Sequence, residues 1–205
     1  MSAKVKQYYI KKERYDWTIA ADHMFGVESI FHRNRERTFT RLTRFYAKQN
    51  KVVVLDVGCG TGLLLRHLSQ DAIGLDINPW NAKKAKEHTG RQIIRADAEL
   101  LPVRSSVLDL VVCTETLEHL PNPRRALQEI CRTLKQNGKI IGSVPHPNPG
   151  WKLRFLSSTC PRDEPFHNSY TRSQVVSLLR SSGFEIKRAF LSMLALNTNF
   201  VAEKP

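Results

Sequence analysis

No long apolar run occurs in the 205 residues. The longest uninterrupted stretches, such as Val52 to Leu55 and Leu63 to Leu65, fall far short of the roughly 18 residues that cross a bilayer, which excludes a helical membrane span. The opening Met1-Ser2-Ala3-Lys4 leads into polar, charged sequence without an apolar leader core, so a cytoplasmic protein is expected. With Ser2 in place of glycine, N-myristoylation is not expected. Cysteine is scarce: Cys59, Cys113, Cys131 and Cys160 are widely spaced and never form Cys-x-x-Cys, as expected of reduced core thiols rather than a disulfide frame or thiolate zinc site. There is no internal repeat or low-complexity tract. What is present, 41% hydrophobic and 25% charged residues, is the composition of a folded globular chain, and its length fits one domain, residues 1–205.

Acidic residues are also short, 19 against 32 basic, a net charge of +13. The imbalance is local. Residues 1–50 hold 11 basic and 5 acidic side chains, residues 51–120 hold 8 and 9, and residues 121–205 hold 13 and 5. Basic flanks around a neutral centre favour encounters with nucleic acid, anionic headgroups or acidic substrates, or form a solvated shell.

Strand and helix signals alternate through the centre. Lys51 to Asp56 is a β-branched run ending at glycine, followed by a helical stretch at Leu63 to Leu68. Ala72 to Ile77 reads as a second strand. Asn78-Pro79 then offers an N-cap residue with proline at the first helical position, predicting a helix to about His88. Arg91 to Asp97 and Leu108 to Cys113 are strands three and four. Asn122-Pro123 repeats the cap signal, with Ala126, Leu127, Ile130 and Leu134 on one face and Gly138 expected to close the helix in a left-handed conformation. Lys139 to Val144 is strand five. Thr171 and Gln174 have capping-box spacing, Gly183 ends that helix, and Phe184 to Leu191 and Asn197 to Ala202 are the last strands. The pattern predicts an α/β three-layer sandwich around a mostly parallel seven-stranded sheet. Residues 1–50 are expected to form a helical cap, 51–145 the cofactor-binding core, 146–170 an insert on the substrate side, and 171–205 a C-terminal helix and strands.

The richest local pattern is Asp56-Val-Gly58-Cys59-Gly60-Thr-Gly62, at a strand end and opening a helix, where open α/β sheets bind ligands. A dinucleotide fingerprint needs glycine at its first, third and sixth positions, but Leu63 occupies the sixth, which weakens a pyrophosphate cradle. The stretch Val-Leu-Asp-Val-Gly-Cys-Gly-Thr-Gly resembles motif I of class I S-adenosylmethionine-dependent methyltransferases, in particular the type 11 group that includes ubiquinone-biosynthesis enzymes. Asp76, 20 residues beyond Asp56, resembles the ribose-binding acid of that family. Arg95-Ala-Asp97-Ala98-Glu-Leu-Leu-Pro102 resembles its adenine segment, and Asp109 to Leu120 the segment around strand four. The resemblance, covering about residues 51–145, implies S-adenosylmethionine as cofactor, with contacts at Asp56, Gly58, Cys59, Gly60, Gly62, Asp76, Ile77, Asp97, Ala98, Thr114 and Glu115. Asp56 either meets the cofactor's ammonium or caps amides of the turn.

A sulfonium methyl is already activated, so in-line transfer needs mainly alignment, and an oxygen acceptor must also lose a proton. Glu115-Thr-Leu-Glu118-His119 places two acids and an imidazole at helical spacing, so that one face can carry all three. The segment resembles that of metal-dependent O-methyltransferases, acting on catechol-type precursors or on the terminal ribose of small RNAs. In that resemblance Glu115, Glu118, His119 and His167 would hold a divalent metal. Without a metal, His119 is the candidate general base, with Glu115 and His167 beside it. His146, Trp151 and Tyr170 are further candidates around an acceptor. The leading expectation is methyl transfer to oxygen or carbon of a small-molecule acceptor. The alternatives are an RNA methyltransferase using the basic flanks and a cofactor-binding module without catalysis.

Overall fold

The computed structural model describes residues 2–11, 16–23, 27–47, 52–151 and 168–205. Three helices come first: α1 (Ser2–Lys11), α2 (Trp17–His23) and α3 (Val27–Tyr46). There follow β1 (Val54–Val57), β2 (Ile73–Asp76), α4 (Pro79–Thr89), β3 (Ile93–Arg95), β4 (Leu108–Thr114), α5 (Pro123–Thr133), β5 (Leu134–Pro145), α6 (Arg172–Arg180), β6 (Glu185–Ser192) and β7 (Asn197–Glu203). The seven strands form one sheet in the order β3-β2-β1-β4-β5-β7-β6. Pairings among the first five are parallel, and β7 runs antiparallel to both β5 and β6.

Alternation along each strand feeds two cores, one on each face. Leu55, Val57, Val111, Cys113, Ile140 and Phe200 pack with Leu127 and Ile130 of α5 and Leu179 of α6. Their neighbours Val54, Leu110, Val112, Ile141 and Val201 pack on the other face with Phe39 of α3 and Ala85 of α4. Burial on both faces is why the strands lack polar alternation.

Local signals place most boundaries. The Asn78 side chain accepts from the Trp80 and Asn81 amides, with Pro79 as the first helical residue, and Asn122, followed by Pro123, caps α5 by accepting from the Arg125 amide. The α6 capping box is reciprocal: Thr171 N–H donates to Gln174 Oε1 at 2.8 Å, and Gln174 N–H to Thr171 Oγ1 at 3.3 Å.

Two expectations need correction. Leu63 to Leu68 forms no α-helix; a 3₁₀ turn spans only Leu65–His67. Gly138 does not close α5: that helix ends at Thr133, Leu134 already has extended backbone, and Gly138 lies within β5. A side chain at Gly138 would stand 2.8 Å from the Lys135 carbonyl oxygen and 3.2 Å from that of Leu108, so this glycine serves close backbone approach, while Asn137 takes the left-handed conformation.

From β1 the chain moves outward to β2 and β3, then crosses back so that β4 lies on the other side of β1. Connections therefore diverge beyond the C-terminal ends of β1 and β4, opening a crevice there.

Candidate functional site

At the end of β1 the chain turns through Gly58 (φ +72°), Gly60 (φ +54°) and Gly62 (φ +95°), conformations that side chains with a Cβ rarely adopt. At Gly58 a Cβ would also collide with Thr116, whose hydroxyl donates to the Val57 and Thr114 carbonyls. The Gly58 and Cys59 amides both donate to the Leu75 carbonyl, at 2.7 and 3.0 Å, which ties the turn to β2.

That tie brings the two strand-end aspartates together. Asp76 accepts from the Gly60 amide at 2.9 Å on one oxygen and from the Asn78 amide at 2.8 Å on the other. Burial raises its pKa, opposed by these amide donors. Asp56 is 2% exposed, and its Oδ2 has no hydrogen-bond partner among the described residues. Burial pushes this carboxyl up to about 7; the Arg35 charge opposes the shift and that of Asp76 adds to it. The Cys59 thiol, buried in the same turn, is raised well above its ordinary range by burial, with the Asp76 and Asp56 charges adding to it.

Further along the edge, Ala98 is buried, Ile77 lies beside Asp76, and Asp97 and Glu99 share one cation: Lys6 of α1 donates to them at 2.6 and 2.7 Å. Partial burial opposes a charged Lys6, yet the two carboxylates hold its ammonium above the usual range. Tyr9 accepts from the Asn78 side-chain amide through its carbonyl at 2.6 Å. The Thr18 amide donates to Thr61 Oγ1 at 3.3 Å, and the Trp17 ring lies over Gly60. His88 meets Asp16 at 2.8 Å. Helix α2 thus covers the glycine turn, and α1 lies over the segments that follow β2 and β3. Lys6, Tyr9 and Trp17 were missed in the sequence, where their only signal was aromatic and basic residues mixed ahead of the first strand.

At the end of β4, Thr114 is buried and Glu115 has φ +50°. The turn directs Glu115 toward β5 and β7, where its Oε1 accepts from Ser143 Oγ at 2.6 Å and Asn197 Nδ2 at 3.0 Å. Glu118 and His119 follow on a 3₁₀ turn, Leu117–His119. The side chain of Glu118 is buried, with Oε1 3.7 Å from His119 Nε2, and His119 Nδ1 lies 2.9 Å from the Tyr9 hydroxyl. The expected common face of Glu115, Glu118 and His119 does not form, because left-handed backbone at Glu115 sets it apart from the turn that carries the other two. Among the described residues no group of three His, Cys, Asp or Glu side chains is placed to hold a metal. His167 and Cys160 lie outside the described residues. Near the ends of the insert, His146 Nδ1 meets Thr198 Oγ1 at 2.9 Å, Trp151 stacks edge-on against Phe31 at 5.5 Å, and the Asn168 amide donates to the Glu118 carbonyl at 3.0 Å.

A glycine turn and acid-tipped parallel strands, with a final antiparallel strand inserted beside β5, define an α/β methyltransferase fold. Residues 31–189 match the family model described as a methyltransferase domain, and the chain belongs to that family, within the class I S-adenosylmethionine-dependent methyltransferases. S-adenosylmethionine is the cofactor that goes with this membership. Among curated proteins, the malonyl-[acyl-carrier protein] O-methyltransferase of Geobacter sulfurreducens is 32% identical over 152 residues, 67% of this chain and 57% of that one. The ubiquinone biosynthesis O-methyltransferase of Coxiella burnetii is 33% identical over 103 residues, 46% and 44% of the two. The chain spans about half the length of these curated relatives. Among solved structures, the magnesium protoporphyrin IX methyltransferase of Synechocystis with bound SAH superposes with a TM-score of 0.76 at 15% identity, covering 100% of both chains. No helix among the described residues is long and apolar enough to cross a membrane.

Proposed function

We propose that this protein transfers the methyl group of S-adenosylmethionine to an oxygen of a small-molecule acceptor. The observation that carries the reading is where the acids lie. In a chain of net charge +13, Asp56, Asp76, Asp97, Glu99, Glu115 and Glu118 gather at the C-terminal ends of β1 to β4, which suits a ligand bearing a sulfonium and an ammonium. The names of the curated relatives, both O-methyltransferases, favour oxygen over carbon.

The residues present fit the cofactor. Asp76, held by two amides, offers the ribose-facing carboxylate; Asp97 and the Ala98 backbone flank the adenine; and Asp56, with an unsatisfied buried oxygen, answers the ammonium through the Gly58–Gly62 turn. Bound there, S-adenosylmethionine supplies an activated methyl. The chain aligns the acceptor, excludes water with α1 and α2, and removes a proton, a task assigned to His119, whose Nδ1 is fixed by Tyr9. Glu115 orients the donor side, braced by Ser143 and Asn197. As placed, Glu115, Glu118 and His119 do not fit a shared divalent ion, and no step is routed through one. The insert at 146–170 is proposed to shape the acceptor pocket, with His167 a candidate within it.

Calorimetry with S-adenosylmethionine and its demethylated product tests the donor site. Labelled methyl transfer to phenolic and carboxylic acceptors, with and without chelator, tests the reaction. Absence of donor binding overturns the whole reading. Donor binding without transfer to any acceptor overturns catalysis and leaves a binding module.

A further inference from the structure

Helix α3 carries five arginines and two glutamates, and it sorts them by face. Arg35 turns inward toward Asp56, while Glu36 pairs with Arg66 and His67 in the layer beneath. Arg37, Arg41 and Arg44 remain on the outer side, and Arg33, half-buried against Ser29, borders them at the N-terminal end. At about 100° per residue the four fall within an arc of about 80°, and at 1.5 Å rise they run about 16 Å along the axis. Arg37, Arg41 and Arg44 are exposed, and among the described residues no carboxylate pairs with any of the four; Arg33 donates only to Ser29. Like charges at i,i+4 oppose helix formation, so the stripe works against the element that bears it. A polyanion would offset that repulsion.

We propose that this arginine stripe is a docking surface for the phosphate backbone of a single-stranded nucleic acid. The arginines succeed one another every three or four residues, so neighbouring guanidinium groups can engage successive phosphates, each with a fork of donors. Phe45, 59% exposed and edge-on against Tyr46 at 4.9 Å, adds an aromatic edge at the C-terminal end of the helix. An anionic membrane fits less well: the exposed large apolar residues on this face are Ile30 and Phe45, about 22 Å apart with arginines between, not a continuous apolar stripe. At its N-terminal end α3 meets the start of the 146–170 insert, where Phe31, next to Ile30, stacks edge-on against Trp151. Nucleic-acid docking on α3 stands whether the methyl acceptor is a small molecule or the docked strand itself.

The test is fluorescence anisotropy of the full chain with a labelled single-stranded uridine oligonucleotide across a salt series. Engagement of four phosphates predicts a log–log salt slope of about −3, from about −0.7 per contact. The variant R37A/R41A/R44A should bind at least about tenfold more weakly and lose about 2 of that slope. R37K/R41K/R44K, which keeps the charge, should retain most of both. Equal helical circular dichroism and equal S-adenosylmethionine binding show that the alanine variant is folded. R104A/R124A/R180A removes the same charge from other faces and should leave binding near that of the parent. The proposal is overturned if the two alanine variants lose binding equally, if binding ignores salt, or if phosphatidylserine vesicles capture the chain while the oligonucleotide does not. Donor calorimetry is read separately, so failure here leaves the methyl-transfer reading standing.

Discussion

Asp76 is the residue on which the proposed donor site turns, because both its oxygens are already held by amides of the loop and of the α4 cap. Asp76→Ala should weaken S-adenosylmethionine binding at least about 100-fold, equivalent to about 2.7 kcal/mol, with near-native circular dichroism; calorimetry reads the loss. Asp56 should make donor binding depend on pH. Its carboxyl titrates near 7 when folded, against about 3.9 in an unfolded chain, so between these values the folded state holds the extra proton. The stability this group contributes therefore falls as pH rises from about 4 to about 7. A cationic ligand favours the ionised form, so donor affinity should climb between about pH 6 and pH 8 in the parent and stay flat in Asp56→Asn; calorimetry at both ends of the range measures this. The glycine turn and the Asn78 cap were readable in the sequence because each is a local pattern, and Asp76 entered through the family resemblance; its bond to the Gly60 amide, 16 residues away, has no local signal. Lys6 and Tyr9 were not readable there. Their partners Asp97 and His119 lie 91 and 110 residues away, and no periodicity announces a contact across that distance.

Among the elements, α1 and α2 depend most on the core for their position, through Lys6, Tyr9, Trp17 and Thr18. Removing residues 1–11 should shift the thermal midpoint little and weaken product binding about tenfold, equivalent to about 1.4 kcal/mol, as read by melting and calorimetry on the same sample. In α6 the capping box is reciprocal, and Thr171→Ala should cost about 1 kcal/mol, a fall of about 2–4 °C in the melting midpoint. That motif was plain in the sequence, as were the two Asn-Pro helix starts, since a cap is a local hydrogen-bonding pattern. The 3₁₀ turn at Leu65–His67 was not, for Leu63 to Leu65 are apolar in a row and burial of such a run looks the same in either conformation. Gly138 misled for a related reason: glycine after a helix signals a left-handed cap, whereas what crowds it is the Lys135 carbonyl of its own strand and the Leu108 carbonyl of β4. Glu115 shows the same limit, since helical spacing put it with Glu118 and His119 and a single left-handed residue separates them.

For the whole molecule, alternation of strands and helices sufficed to predict a mostly parallel sheet in three layers, because buried parallel strands need crossover helices and these must cover both faces. Strand order was out of reach, as nothing local in β7 says that it inserts between β5 and β6. Phe200 marks the centre of that insertion, fully buried on β7 against the β5 strand. Phe200→Ala should cost about 3–5 kcal/mol and lower the melting midpoint by about 10 °C, a loss spread across the sheet. Its placement also sets an order of events during synthesis. Among the described residues β7 is the last strand, yet β6 joins the sheet through it. Until the ribosome has released the stretch Asn197–Glu203, β5 presents a bare hydrogen-bonding flank and the hairpin partner waits unattached, which leaves the nascent sheet open to mispairing for as long as β7 is still inside the tunnel.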